Sequence, residues 1–157
     1  MVQNYNKTLL ITGASGQLGS TLTKYLSKYY KVFSTSYDDN HNPVDITNKS
    51  HLDYALSNAT PDYIINCAAF TNVDKNETDR NYAYNVNVGG IKNIISVADK
   101  STKIIHISTD YIFDGEKKSY TEEDHPNPLS YYGKIKLESE NILRSSNRPY
   151  LIFRSSV

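Results

Sequence analysis

Tyr132 and Lys136 stand four residues apart in the stretch Tyr131-Tyr132-Gly133-Lys134-Ile135-Lys136. On a helix that spacing puts both side chains on one face. An ammonium beside a phenol stabilises the phenolate and draws a tyrosine pKa of about 10 toward neutrality. Such a phenol can protonate a carbonyl oxygen while hydride reaches the carbon. The spacing alone is a weak signal, because a chain with 14 tyrosines forms such pairs by chance. Thr109, in Ser108-Thr109-Asp110-Tyr111, follows an apolar run and can donate its hydroxyl to the same oxygen; a turn or capping threonine is the plainer alternative. Tyr111 and Tyr131 are other phenols, but neither has a lysine four residues on.

A second group of residues precedes these. Leu9-Leu10-Ile11-Thr12 runs into Gly13-Ala14-Ser15-Gly16-Gln17-Leu18-Gly19. Leu18, Leu22, Tyr25, Leu26 and Tyr29 recur at helical spacing and predict a helix over 17–29. A strand, a tight glycine turn and a helix form a phosphate cradle. Gly13 permits the turn, Gly16 clears the approach, and Gly19 lets the helix pack on the strand. The helix start then offers free N–H groups and the positive end of its dipole. The spacing is G-x-x-G-x-x-G rather than G-x-G-x-x-G, and a merely glycine-rich turn is the alternative.

The elements that must position these residues alternate. Strands are expected at Lys31–Thr35, 63–67, 103–108 and 150–153, and helices over 49–58, 80–99 and 130–143. Ala83, Val86, Ile91, Ile94 and Ala98 are the expected buried face of the second of these helices. Segment 70–79 reads as a polar loop, and 109–129 as a long proline-bearing loop of the kind that is usually functional. The fifth strand reads as a core strand. This βαβαβαβαβ order predicts an α/β, Rossmann-like doubly wound parallel sheet whose ligands sit beyond the strands' carboxyl ends. Residues 13–19, 67–71 and 108–111 should therefore meet on one rim.

Composition narrows the partners. Lysine plus arginine and aspartate plus glutamate are 17 each, and no basic stripe marks a nucleic-acid binder. One cysteine, Cys67, excludes an internal disulfide and fits a reducing compartment. It reads as a small buried hydrophobe rather than a nucleophile. No signal or membrane-spanning stretch is read, so a cytoplasmic chain is expected, without membrane partners. The four histidines lack metal-ligand spacing, and no metal is expected; His106 reads as a satisfied core residue. Asp45 is an even choice between an adenine-facing carboxylate and a helix cap. The second strand ends Ser34-Thr35-Ser36 without an acid, which leaves room for a ribose 2′-phosphate and tilts the cofactor toward NADPH over NADH. The abundance of tyrosine and asparagine has no functional reading.

Taken together, ITGASGQLG (11–19), PDYIINCAAFTNVDKNE (61–77), ISTDYIFDG (107–115), SYYGKIKLESE (130–140) and IFRSS (152–156) resemble the dTDP-4-dehydrorhamnose reductase family of extended short-chain dehydrogenase/reductases. The segments fall in that family's order and span nearly the whole chain. The resemblance implies that Thr109 polarises a ketone, Tyr132 delivers a proton, and Lys136 tunes Tyr132 and grips the nicotinamide ribose. It implies cofactor contacts from Gly13, Ser15, Gly16, Gln17, Leu18, Asp45, Ile46, Ala68, Ala69, Tyr132 and Lys136, and substrate contacts from Thr71, Asp110 and Tyr111. The implied reaction is hydride transfer from NADPH (or NADH) to the 4-keto carbon of a nucleotide-sugar, dTDP-4-dehydro-β-L-rhamnose. Residues 1–157 are then expected to be the NAD(P)-binding domain at the N-terminal end of a longer reductase, with a homodimer left open. The alternatives are a non-catalytic cofactor-binding module and a dehydratase or epimerase of the same superfamily. The Asp110-Tyr111 pair after Thr109 argues against a dehydratase, which should carry two acids there.

Overall fold

Short runs rich in isoleucine and valine form strands because β-branched side chains pack well on a pleated sheet. The computed structural model describes residues 6–41 and 43–156. Its strands are β1 (Thr8–Thr12), β2 (Lys31–Thr35), β3 (Tyr63–Asn66), β4 (Lys103–Thr109) and β5 (Tyr150–Ser155). They make one parallel sheet in the order β2-β1-β3-β4-β5. The order reverses between β1 and β3, so the crevice for a ligand opens above that pair. The expected doubly wound sheet is thus the one observed.

The helices cover the two faces unequally. Leu10, Ile64 and Ile104 point to one face and meet Leu52, Ala55 and Leu56 of α2 (Lys49–Ala59). Ile91 and Ile94 of α5 (Gly90–Val97) and Leu143 of α6 (Tyr131–Arg144) complete that layer. Leu9, Ile11 and Ile65 point the other way, against Leu22 and Leu26 of α1 (Gln17–Leu26). No other described helix packs against that cluster. Leu151 and Phe153 of β5 are consequently 45% and 52% exposed. Within these 157 residues the fifth strand packs Ile152 on the core, and its other face is uncovered.

Other differences from expectation have local causes. The first helix stops at Leu26 instead of reaching residue 29. Tyr25 and Tyr29 pair with each other in solvent, ring centroids 5.6 Å apart, and Leu18 is also exposed. The expected polar loop contains α3 (Val73–Thr78), which Asn72 caps by accepting from Lys75 N at 2.9 Å. The helix expected over 80–99 exists as α4 (Arg80–Tyr84), a widened π turn (Asn85–Gly89) and α5. Ala83, Ile91, Ile94 and Ala98 are buried as expected, and Val86 is partly buried.

The π turn has a visible use. It directs Asn87 at Phe70, where Oδ1 accepts from the backbone N–H and Nδ2 donates to the carbonyl, both at 3.0 Å. Asn76 adds a 3.1 Å bond to the same carbonyl. The segment after β3, which carries Ala68, Ala69 and Thr71, is clamped in this way. Part of the asparagine abundance thus has a structural role.

Candidate active site

The glycine turn is built by backbone contact. Gly13 has φ +67, in the left-handed region that glycine adopts without strain. A Cβ there would sit 2.6 Å from Ala68 N, so β1 and the segment after β3 touch. A Cβ on Gly19 would sit 2.3 Å from Gly13 O. Helix α1 begins at an N-cap glycine, Gly16, with no side-chain cap bond and no acid in its first turn. Ser15, Gly16, Gln17 and Leu18 are exposed around it. A dinucleotide's diphosphate fits this cradle: small residues, open backbone donors and the positive end of a ten-residue helix.

The end of β2 corrects the expectation of an acid-free rim. Asp38, two residues beyond the buried Ser36, takes hydrogen bonds from Ser15 and Ser36 that hold its carboxyl below the usual range. A carboxylate therefore borders the glycine turn after all. It was missed because it follows the strand end by a bend rather than ending the strand. Asp45 does not cap α2. Its Oδ1 accepts from Thr47 N at 2.8 Å, and Asn48 is the helix cap. Ile46 belongs to the core: its side chain is 4% exposed and packs where a Cβ on Gly90 would fall. Only its backbone remains for a ligand, and Asn93 already donates to its carbonyl at 3.0 Å. Ala68 and Ala69 are half-buried beside the turn, and Thr71 is exposed.

On the same rim, β4 delivers Thr109 and α6 delivers Tyr132. Ser130 caps α6 by accepting from Gly133 N at 3.0 Å, which fixes where the helix starts. Gly133 lets α6 close onto the short 3₁₀ turn Asp110–Ile112; a Cβ there would fall 2.2 Å from Tyr111 O. Tyr132 is 8% exposed, and the Thr109 hydroxyl faces its phenol and favours the phenolate. Tyr111 covers the phenol edge-on, with ring centroids 5.9 Å apart at 70°. Thr109 also lies 3.3 Å from Asp110 Oδ1 and accepts from Tyr111 N at 3.2 Å. Asp110 and Tyr111 themselves are exposed. The long loop beyond is tied down by Asn127 N to Ile112 O at 2.9 Å, and by Asp114 bonded to Tyr120 and Asn127.

The electrostatics of the pair differ from expectation. Burial pushes the Tyr132 phenol up; the Thr109 hydroxyl pulls it down, and the Asp110 and Tyr111 charges push it up again, for a net rise. Lys136 contributes no lowering, because its Nζ is engaged elsewhere. It donates to Ile107 O at 2.7 Å and lies 3.3 Å from His106 Nε2. Lys136 is 2% exposed, and burial brings it down to about 8 despite the opposing Glu140 and Cys67 charges. At neutral pH the site therefore holds a protonated phenol, the form a general acid needs. Cys67, half-buried, is pushed up to about 11 by burial, as expected of an unreactive thiol.

The sequence reading did not find the charges beneath this rim. Glu140, fully buried, takes two bonds from Arg154 at 3.1 and 2.8 Å and one from Arg144 at 2.9 Å. Burial raises its pKa, but Arg154, with Ser108 and Arg144, outweighs that and holds it below the ordinary range. Arg154 also lies over the Phe113 ring, 5.4 Å from its centroid. The only sequence signal was an acid and a base at i and i+4 on α6. A groove of about 770 Å³, lined by Lys7, Asp62 and Lys103 among others, is at the opposite end of the sheet.

The fold and this rim define a class: a Rossmann-type unit of the extended short-chain dehydrogenase/reductases. Residues 7–157 match the family described as RmlD substrate binding domain, and the chain belongs to that family. It is 41% identical over 152 residues to dTDP-4-dehydrorhamnose reductase of Aggregatibacter actinomycetemcomitans, covering 94% of this chain and 50% of that protein. The crystal structure of dTDP-4-dehydrorhamnose reductase from Bacillus anthracis in complex with NADP superposes with a TM-score of 0.86 at 35% identity. That match covers 96% of this chain and 53% of the other. The ortholog from Clostridium acetobutylicum is 44% identical with a TM-score of 0.81, over 93% of this chain and 52% of that one. The chain thus spans about half the length of the relatives it matches. Among the described residues, no helix is long and apolar enough to cross a membrane.

Proposed function

We propose that the chain is the NAD(P)-binding, proton-donating half of a nucleotide-sugar 4-ketoreductase, reducing dTDP-4-dehydro-β-L-rhamnose to dTDP-L-rhamnose. The observation that carries this reading is Tyr132: a buried phenol kept protonated, beside Thr109, on the same rim as an uncapped glycine-turn helix. The relatives' printed names supply the substrate and NADP.

Each residue then has a task. The backbone of the glycine turn and the first N–H groups of α1 hold a diphosphate. Ala68 and Ala69 leave backbone open along the dinucleotide. The Lys136 ammonium offers its remaining N–H to a ribose hydroxyl. Thr109 and Tyr132 both aim O–H groups at a ketone oxygen, and Tyr132 gives up its proton as negative charge develops there. A bound nicotinamide supplies the hydride. Asp38 beside Ser15 crowds a ribose 2′-phosphate, so NADH joins NADPH as a fitting donor.

The test follows NADPH oxidation with dTDP-4-dehydrorhamnose, alongside NADPH binding by calorimetry, for wild type and Tyr132→Phe. Loss of turnover by about 10²–10⁴-fold with binding retained is the expected result. Equal turnover in both proteins removes Tyr132 from the mechanism. Binding with no turnover in wild type selects the second reading, a cofactor-binding module.

A further inference from the structure

Behind Lys136 lies a buried polar chain that the proposed reaction does not use. Thr12 Oγ1 donates to Asn66 Oδ1 at 2.7 Å, and Asn66 Nδ2 lies 3.2 Å from His106 Nδ1. His106 Nε2 lies 3.0 Å from Ser139 Oγ and 3.3 Å from Lys136 Nζ. Ser139 Oγ in turn donates to Lys136 O at 2.6 Å. Thr12, Asn66, His106, Lys136 and Ser139 are all 3% exposed or less. The chain runs from the residue before Gly13, across β1, β3 and β4, to α6.

Such a chain has two self-consistent states. In one, Asn66 donates to Nδ1 and the ring proton sits on Nε2, which donates to Ser139 and turns an N–H toward Lys136. That arrangement suits a neutral amine. An ammonium needs the reverse: Nε2 bare to accept from Nζ, the proton on Nδ1, and the Asn66 amide turned so that its oxygen accepts from the ring and its nitrogen donates to Thr12. The ring is neutral in both states, because burial and the Lys136 charge keep it so.

We propose that His106 is a positioning residue for Lys136: its Nε2 accepts from the ammonium, and the Thr12–Asn66–His106 hydrogen bonds reverse when that ammonium loses its proton. The ring carries one proton throughout, on Nδ1 with the lysine charged and on Nε2 with it neutral; the released proton goes to solvent. The other ionisable groups around Lys136 are Glu140 and Tyr132, one turn away on α6, and Cys67 after β3. Glu140 is neutralised by Arg154 and Arg144, and Cys67 stays a thiol below about 11. His106 is thus the one neighbour whose hydrogen pattern changes across the lysine's titration. Its importance for turnover rests on the ketoreductase reading; the switch itself does not.

The test is NMR on the 157-residue chain, without cofactor, with labelled lysine Cε and histidine ring nitrogens. In wild type the Lys136 midpoint falls at about 8, and the His106 ring proton moves from Nδ1 to Nε2 across it. His106→Gln, which keeps an acceptor, holds the midpoint within about twofold in proton concentration. His106→Leu lowers the midpoint, so that about tenfold more acid is needed to charge the lysine. A ring proton fixed on one nitrogen through the lysine's titration overturns the proposal, as does an unmoved midpoint in His106→Leu. If His106→Leu does not fold, the wild-type ring measurement decides alone. Loss of turnover in Tyr132→Phe, or its absence, leaves these readings untouched, so the two proposals fail separately.

Discussion

Lys136 is a charged side chain held almost entirely out of water. An ammonium 2% exposed is stabilised by a carbonyl and an imidazole rather than by water, and its pKa falls to about 8 from 10.5. Between those values the unfolded chain binds more protons than the folded one, so this group adds stability as pH rises from about 8 to 10.5 and adds none below. Lys136→Met should therefore be more stable than wild type at pH 7, by roughly 1–3 kcal/mol, and the gap should close as pH rises through that window. Urea unfolding of both proteins from pH 7 to 10.5 checks this; a gap that widens with pH refutes it. The tyrosine and the lysine were legible as a pair from their spacing. Their separation into two environments was not, because Asn66 and Ile107, which occupy the network and the lysine, come from distant strands and carry no local pattern.

Helix α6 is held by one absence, the missing side chain at Gly133. Gly133→Ala would put a methyl carbon 2.2 Å from Tyr111 O and 3.0 Å from Pro128 Cβ, and backbone cannot yield there as a flexible side chain would. The helix must back away, at a cost of about 1–3 kcal/mol, and the Tyr111–Tyr132 ring contact opens. A lower melting temperature with weakened near-ultraviolet tyrosine dichroism is expected, while the glycine turn still binds NADPH. The strand–turn–helix at the N-terminal end was readable from apolar periodicity and the glycine turn, and α6 from its Tyr-x-x-x-Lys stretch. Helix α3 was not, since its six residues are polar and its anchors, Asn72 and Asn76, act through side-chain bonds to backbone. The π turn was equally hidden: an apolar pattern at 3.6 residues per turn does not register one locally widened turn.

At the scale of the molecule, alternating apolar runs were enough to foresee the parallel sheet and the rim where the candidate site gathers. They could not foresee which faces are covered, because Leu151 and Phe153 look the same in a sequence whether a helix lies over them or solvent does. That uneven cover has a dynamic consequence. β5 is an edge strand with one face in water, held by backbone bonds to β4, by Ile152 on the core and by Arg154 on Glu140, so fewer contacts resist its opening than hold the central strands. Deuterium uptake should therefore grade across the sheet, with amides of β5 exchanging roughly tenfold or more faster than those of β3. Thr109 pairs with Ser155 in that outer ladder, so the hydroxyl expected to meet the ketone stands at the seam that the first local opening would unzip.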